Sequence, residues 1–313
     1  MIGYILRRIL AVIPVMLLVA VFVFLLLRLT PGDPAAILAG DMTTPAKLER
    51  IREAMGLNEP LHIQFAKWIG QLARGDLGTS LISSTSVSSM IASRVDPTLS
   101  IGVLTILMSV ALAIPMGVIA AWKHRKGADY MVMTFSVLGF SVPVFVTGYI
   151  FILIFSLKLN WFPVQGYTPL SEGLGPFLNH AFLPALTLTT IYVALIARMT
   201  RANMLEVLGE DYIRTARAKG ASERRVLFRH ALRNAAVPIL TVIGTGFALL
   251  IGGVVVTETV FNVPGIGRLT VDAILARDYP VIQAMILLTS FVYVLVNLVI
   301  DLSYTFFDPR IRY

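Results

Sequence analysis

The sequence contains no cysteine and few charged residues, and both shortages narrow the class of protein. Without cysteine there is no disulfide, no thiolate metal site and no cysteine nucleophile. Charged residues make up only 14% of the 313 positions, hydrophobic residues make up 57%, and the mean hydropathy is +0.80. An ordinary soluble domain does not combine so much apolar surface with so little charge. We therefore predict an all-α protein that crosses the membrane several times.

Catalytic and metal-binding signatures are also missing. The chain has no G-x-x-x-x-G-K-[ST] phosphate loop, so it is not itself an ATPase. It also has no H-E-x-x-H zinc motif. Its four histidines lie in four segments without an i, i+4 pair, so we expect no metal site. Ser141 and His180 would be the residues of an intramembrane serine hydrolase, but G-x-S-x-P is not a nucleophile elbow. We predict no catalytic residue.

The long apolar runs contain no ionisable residue, which argues against an ion-coupled pump. Secondary transporters usually bind protons or ions through ionisable groups at mid-membrane. Glu258 and Asp301 follow the ends of two apolar runs, so we interpret them as boundary residues within reach of water. A stand-alone channel or ion-coupled carrier, which would transport without companions, is the alternative. Otherwise the energy for uphill transport comes from another protein.

Six apolar runs predict six transmembrane helices, since a helix needs about 20 residues to cross a bilayer. The first run follows Arg7 and Arg8 and is too long for the apolar core of a signal peptide, so we interpret it as a retained span. The third run contains Pro143, which predicts tilt or a kink and a role in helix packing or the transport pathway. The predicted spans are residues 9–27, 99–122, 130–157, 181–197, 235–257 and 281–300.

The distribution of lysine and arginine orients these spans. With both termini cytoplasmic, the inner segments hold 16 basic residues and the outer segments hold 10, of which 6 fall in the long region 30–97. The net charge of +8 therefore follows membrane topology. No basic stripe carries interleaved aromatic residues, so we expect no nucleic-acid partner.

Residues 30–97 form the one large polar region outside the membrane. Two amphipathic helices are predicted there, one from Thr44-Pro45 to Gly56 and one before Gly75. Trp68 in the second helix belongs either to the interfacial aromatic belt or to ordinary packing.

The fifth predicted span carries small residues four positions apart. Gly244, Ala248 and Gly252 would share one face and let another helix approach closely. The alternative is that small residues are simply common in membrane helices. We regard this face as a candidate for helix packing or for the transport pathway.

A basic loop at residues 206–234 separates the fourth and fifth spans. The segment from Tyr212 to Ala218 predicts a helix, Gly220 a left-handed C-cap, and Ser222 a side-chain cap for a second helix. Such arginines either fix topology alone or belong to a rigid bent surface that contacts another protein. The basic residues are Arg214, Arg217, Lys219, Arg224, Arg225, Arg229 and Arg233.

This loop resembles the "EAA" motif of bacterial ABC importer permeases. Thr215, Ala216, Gly220 and Leu232 follow the spacing of the motif, while Arg214 stands where the motif has Glu and Arg233 where it has Pro. The strings RTARAKG, HALRNA, ETVFNVPGIGRL, RDYPVIQA and DPRIRY resemble the dipeptide, oligopeptide and nickel permease branch. The resemblance runs from the first span to the end of the chain.

The resemblance implies a type I ABC importer permease fold in a bacterial inner membrane. It divides the chain into residues 1–94, an amino-terminal span with an outer helical segment, and residues 95–313, the permease core. Its implied partners are a second homologous permease, two cytoplasmic ABC ATPases, an extracytoplasmic binding protein and the lipid bilayer. The chain holds no cofactor, because ATP and Mg are bound by the ATPases. The family implies that the loop is the coupling helix gripped by an ATPase.

Substrate identity rests on the resemblance alone. Di- or oligopeptides are expected because they dominate the branch, and glutathione, nickel complexes and opines are the alternatives. Ligand selection in this family is expected to lie in the binding protein.

Overall fold

The protein is a set of helices, seen in a computed structural model that describes residues 2–29, 35–36, 44–54 and 56–307. A wide helical turn at Ile152–Lys158 continues the helix Val144–Phe151, and another at Val226–Ala231 precedes the helix Leu232–Val260. The helices are α1 (Ile2–Leu29), α2 (Pro45–Ala54), α3 (Leu61–Ala73), α4 (Val87–Trp122), α5 (Gly127–Ser141), α6 (Val144–Phe151), α7 (Leu174–Leu208), α8 (Asp211–Ala218), α9 (Leu232–Val260), α10 (Ile266–Ala276) and α11 (Tyr279–Phe307).

The chain forms two compact units. The amino unit comprises Ile2–Asp96 and Arg268–Val294, and the main unit comprises Pro97–Gly267 with the described part of Leu295–Tyr313. Helix α7 carries the core of the main unit, where Leu183, Leu188 and Ile196 are buried. It packs against α5, α6 and α9.

The predicted spans correspond to helices, but two of them, the first and the third, differ from a single long span. Among the described residues, four helices are long and apolar enough to cross a membrane, and a fifth span exists if α5 and α6 count together. The described apolar part of α1, Leu10–Leu25, is shorter. The predicted number of six spans and the cytoplasmic position of both termini stay predictions, and the closing DPRIRY lies outside the described residues.

The predicted third span is two helices that meet at a sharp bend. The α5 segment and the segment Val144–Lys158 are inclined at 104°, far more than a kink. Val142 is extended, with φ −90° and ψ 122°, because the ring of Pro143 disfavours a helical residue before it. Pro143 also lacks the N–H that would continue the hydrogen-bond ladder, so the chain restarts as α6.

The amino unit contains both predicted amphipathic helices, α2 and α3. Trp68 of α3 packs in an aromatic cluster, with ring centroids 5.8 Å from Phe24 and 6.2 Å from Phe65. This tryptophan therefore has a packing role, and its place in an interfacial belt stays a prediction. At the start of α11, the buried Asp278 carboxylate accepts hydrogen bonds from Ser80 Oγ and, at 3.1 Å, from Leu81 N. These bonds tie the segment before α4 to the beginning of the last helix.

Candidate coupling surface

The basic loop folds as a bent projection, here named the basic elbow, residues 211–234. Helix α7 ends at Leu208, Glu210 is extended with φ −70° and ψ 148°, and α8 then runs in a new direction. After α8, one turn at Glu223–Arg225 leads through the wide turn into α9. The predicted first helix is confirmed, whereas the predicted second helix is only the widened beginning of α9.

One fully buried apolar side chain, that of Ile213, anchors α8 to the neighbouring helices. Ile213 is fully buried and belongs to an apolar cluster with Met204 of α7 and with Val226 and Leu227 of the wide turn. The rest of α8 is mostly exposed. We did not predict Ile213 as a site residue, although it is the one large aliphatic residue in the sequence DYIRTARA.

The turn after α8 depends on Gly220. Its φ is +79°, as the predicted left-handed C-cap requires, and that prediction is confirmed. Gly220 N donates to Arg217 O at 2.9 Å, and Ala221 N donates to Ala216 O at 3.1 Å, which closes the end of the helix. Among the described residues no atom lies within 4 Å of a Cβ built on Gly220. Backbone conformation, not crowding, therefore favours glycine here.

Two ion pairs hold arginines on the surface of the elbow. Arg217 donates from Nε and Nη2 to the two carboxylate oxygens of Glu223, at 2.9 and 3.3 Å, and so bridges the turn. Arg214 Nη2 lies 2.6 Å from Asp211 Oδ1, and its side chain is 73% exposed. Surface pairs add little stability, but these fix where the charges point.

The other predicted residues are placed as follows. Asn234 Nδ2 donates to Tyr212 Oη at 2.6 Å, which joins α8 to the first turn of α9, and the neighbouring Arg233 is exposed. Thr215 Oγ1 donates to the Asp211 carbonyl at 3.0 Å, within its own helix. The predicted cap from the Ser222 side chain is wrong.

Within the described residues, the Ser222 hydroxyl makes no capping bond. Its carbonyl instead accepts a hydrogen bond from Val226 N at 2.9 Å. That bond is the ordinary first hydrogen bond of the helix, and it does not replace a side-chain cap on the N–H groups of the first turn. The elbow is thus organised by Gly220, Ile213 and the Arg217–Glu223 pair.

The exposed side of the elbow suits a protein-binding surface better than a catalytic or metal site. Tyr212 is 40% exposed and Phe228 is 50% exposed among arginines, a combination that is enriched where protein surfaces bind. No group of three or more histidine, cysteine or acidic residues that could hold a metal ion occurs in the part of the chain that the structure describes.

The small-residue face of α9 is only partly a packing face. A Cβ on Gly244 would overlap Ile300 of α11, so these helices approach closely there. Gly252 is exposed, with no described atom within 4 Å of such a Cβ, and the side chain of Ala248 lies outside the described set. The glycines that meet α7 are Gly246, against Tyr192, and Gly253, against Leu188.

Glu258 does not have the surroundings expected of a boundary residue. It is fully buried, and its carboxylate accepts a hydrogen bond from Thr98 Oγ1 at 2.5 Å. Thr98 Oγ1 in turn accepts one from Ile266 N at 2.8 Å. The prediction that Glu258 is within reach of water is wrong, because the chain folds back over it after Phe261. The Asp301 side chain lies outside the described set.

That return of the chain is possible because Gly265 has no side chain. A Cβ at Gly265 would overlap the Glu258 carboxyl group, so the glycine makes room for this buried side chain. Val263 N also donates to the Glu258 carbonyl at 2.8 Å. The string ETVFNVPGIGRL therefore encodes a closed turn around one carboxylate.

The residues of the hydrolase alternative have separate partners. Ser141 Oγ donates to the Val137 carbonyl at 2.9 Å, one turn back along α5. His180 Nδ1 lies 3.1 Å from Thr168 Oγ1 and 3.1 Å from the Pro176 carbonyl. A nucleophile and its base need a direct hydrogen bond, so this geometry does not favour a hydrolase.

Comparison with known families covers the chain in two parts. Residues 113–313 match the family described as binding-protein-dependent transport system inner membrane component. Residues 1–102 match the family described as the amino-terminal part of a membrane component of binding-protein-dependent transport systems.

Similar proteins and structures agree with this family. A probable peptide ABC transporter permease protein from Sinorhizobium fredii is 55% identical over 310 residues, 99% of each chain. A glutathione transport system permease protein from Salmonella paratyphi A is 44% identical over 313 residues, 100% of each chain. A chain of the MetNI methionine ABC transporter, in an inward-facing conformation, has a TM-score of 0.58 at 17% identity, over 71% of this chain and 97% of that chain. This structural likeness concerns the fold.

Proposed function

Because this chain belongs to the family of binding-protein-dependent transport system inner membrane components, we propose that it carries di- or oligopeptides through a bacterial inner membrane in an ATP-driven importer. Full-length similarity to a protein named as a peptide permease, at 55% identity, is the observation that carries the peptide substrate. Glutathione, itself a tripeptide, is the second candidate, supported by a relative at 44% identity.

The basic elbow is the proposed contact with the motor. It projects beyond α7, carries exposed arginines and is anchored through Ile213, so a force on its surface reaches α7 and α9. An ATPase subunit with an acidic, partly apolar groove would complement it. The sequence has no phosphate loop, so ATP and Mg are bound by two such partner subunits, and this chain needs no cofactor.

Two further partners complete the proposed importer. A second homologous permease packs beside this one, and the exposed part of the α9 face around Gly252 is available to it. An extracytoplasmic binding protein delivers the substrate to the outer side. Closure of the ATPases would push the elbow, and the helices of the two permeases would rock between inward-facing and outward-facing states.

Reconstitution tests this function directly. The complete complex is placed in liposomes with ATP inside, the loaded binding protein outside, and labelled dipeptide, longer peptide or glutathione as substrate. We expect uptake of a peptide against its gradient, and no uptake when the phosphate-loop lysine of the ATPases is replaced. Accumulation by this chain alone, without nucleotide, would instead indicate an ion-coupled carrier. Mass spectrometry of the ligand bound to the purified binding protein identifies the peptide class.

A further inference from the structure

A buried ionic cluster lies at the base of the basic elbow, outside the residues assigned to ATPase contact. Asp129, near the start of α5, has a side chain that is only 3% exposed. Its carboxylate accepts hydrogen bonds from Arg201 of α7, from Nε and, at 2.8 Å, from Nη2. It also accepts one from Arg125 N at 2.9 Å, and His124 Nδ1 lies 3.3 Å from Asp129 Oδ2.

The cluster joins α5 and α7, which also meet through apolar packing and through the Arg198 guanidinium over the Phe140 ring, 5.3 Å from its centroid. Arg201 is ten positions before the first residue of α8, on the same continuous helix that ends at Leu208. Asp129 belongs to α5, which ends at the bend before Pro143. A rotation of α7 at its elbow end would therefore be passed to α5 in part through the Asp129–Arg201 pair.

The geometry of the Asp129–Arg201 contact suits the transmission of movement from α7 to α5. A forked guanidinium–carboxylate pair fixes both distance and orientation, whereas apolar side chains can slide past one another. Stability alone gives little reason for it, because well-packed apolar residues commonly replace a buried ion pair without loss of stability. The pair thus supplies a fixed orientation that apolar packing in its place would not supply.

The helix that follows α5, α6, contacts the carboxyl end of α9. Beyond the bend, Gly148 of α6 lies against α9, where a Cβ would be 3.2 Å from Val260 and 3.3 Å from Phe261. Those residues begin the turn that encloses Glu258. A movement of α5 that carries α6 along with it would therefore press on this turn.

We propose that Asp129 and Arg201 are positioning residues that hold α5 against the end of α7 next to the elbow. Through them, ATPase-driven movement of the elbow moves the bent pair α5–α6. This rests on the proposed function, since it names how the elbow acts on the rest of the permease. The two residues touch neither ATP nor substrate. Without the pair, the ATPases still hydrolyse ATP, but less of the elbow's movement is passed to α5 and α6.

The experiment uses the complete reconstituted complex and measures substrate molecules imported per ATP hydrolysed. Asp129→Asn keeps the shape of the side chain and removes its charge, and Arg201→Lys keeps the charge and removes the fork. We expect either variant to bind the ATPases normally and to lower the import ratio by about tenfold, within the usual range of coupling between sites. Lys126→Gln is the matched control, because it removes an exposed charge from the same turn. It should keep the ratio of the unaltered complex.

The outcomes distinguish a failure of the proposed transport function from a failure of the proposed coupling role of Asp129 and Arg201. An unaltered complex without ATP-dependent uptake contradicts the proposed function itself. If the unaltered complex transports and Asp129→Asn imports as many molecules per ATP, the coupling role is wrong. A purely structural role would reduce the amount of assembled complex and leave the ratio per complex unchanged, which also overturns the proposal. If Asp129→Asn does not assemble, Arg201→Lys decides by the same ratio.

Discussion

Gly220 gives the basic elbow its turn through a backbone conformation that side chains disfavour. With φ +79° and open space around it, the position selects glycine for conformation alone. Gly265 is the opposite case, because there a side chain would collide with the Glu258 carboxylate. The same residue type therefore serves two different physical needs in this chain.

Replacing Gly220 by valine tests the conformational need. A β-branched residue pays about 1–2 kcal/mol in the left-handed region, so the turn should open and α8 should change direction. We expect lower substrate-stimulated ATPase activity in the assembled complex. Gly220→Asn is the control, since asparagine tolerates this conformation and should keep most of the activity. If the valine variant is as active as the unaltered complex, the geometry of the elbow is not needed for coupling.

Replacing Gly265 by alanine tests the steric need. The added methyl group would overlap a buried carboxylate, and overpacking of this kind costs about 1–3 kcal/mol. We expect a lower melting temperature of the purified permease in detergent. The control is Gly175→Ala, where no described atom lies within 4 Å of the new methyl group. Adding Glu258→Ala to Gly265→Ala should recover part of the loss. A melting temperature equal to the control would show that the turn relaxes freely.

At the scale of elements, the elbow depends on one apolar contact between α8 and its neighbours. Ile213→Ala removes a fully buried side chain from the cluster with Met204, and such truncations cost about 2–5 kcal/mol. We expect faster hydrogen exchange in α8 and fewer ATPase subunits retained during purification. Ile274→Ala is the control, because Ile274 is 55% exposed on α10. Unchanged exchange in α8 would mean that its ion pairs, and not Ile213, hold it.

At the scale of the whole molecule, many large apolar side chains remain exposed on the helices. Leu18, Leu107 and Val137 are 70%, 62% and 61% exposed, on α1, α4 and α5. In water such surfaces would aggregate, but in a bilayer they can face acyl chains. The exposed apolar surface is thus what a membrane protein requires.

The absence of cysteine makes the proposed topology easy to test. Single cysteines at Ser89, in the predicted outer region, and at Lys126, in a predicted inner turn, are both exposed. A membrane-impermeant maleimide should label Ser89→Cys in intact spheroplasts and Lys126→Cys only after permeabilisation. The reverse pattern would invert the orientation inferred from the basic residues. The unaltered chain, which has no thiol, provides the background.

Prediction from sequence succeeded where local chemistry decides the structure. Apolar runs located the membrane helices, and the left-handed turn at Gly220 followed from the tolerance of glycine for positive φ. The α5–α6 bend was predicted only as a kink, because the inclination at a proline depends on what the two segments pack against. Ser222 was assigned a side-chain cap that the structure does not show. Ile213 was missed because one isoleucine in a basic segment has no distinctive pattern.

The sequence by itself determined the class of protein, the place of its long apolar helices and the basic surface, because hydropathy, charge and glycine conformation are local properties. Only the tertiary structure decided that Glu258 is enclosed by its own chain and that Asp129 meets Arg201, 72 positions away. A charged residue next to an apolar run looks the same in the sequence whether it faces water or a partner. Its burial depends on helices far along the chain, and packing alone brings those together.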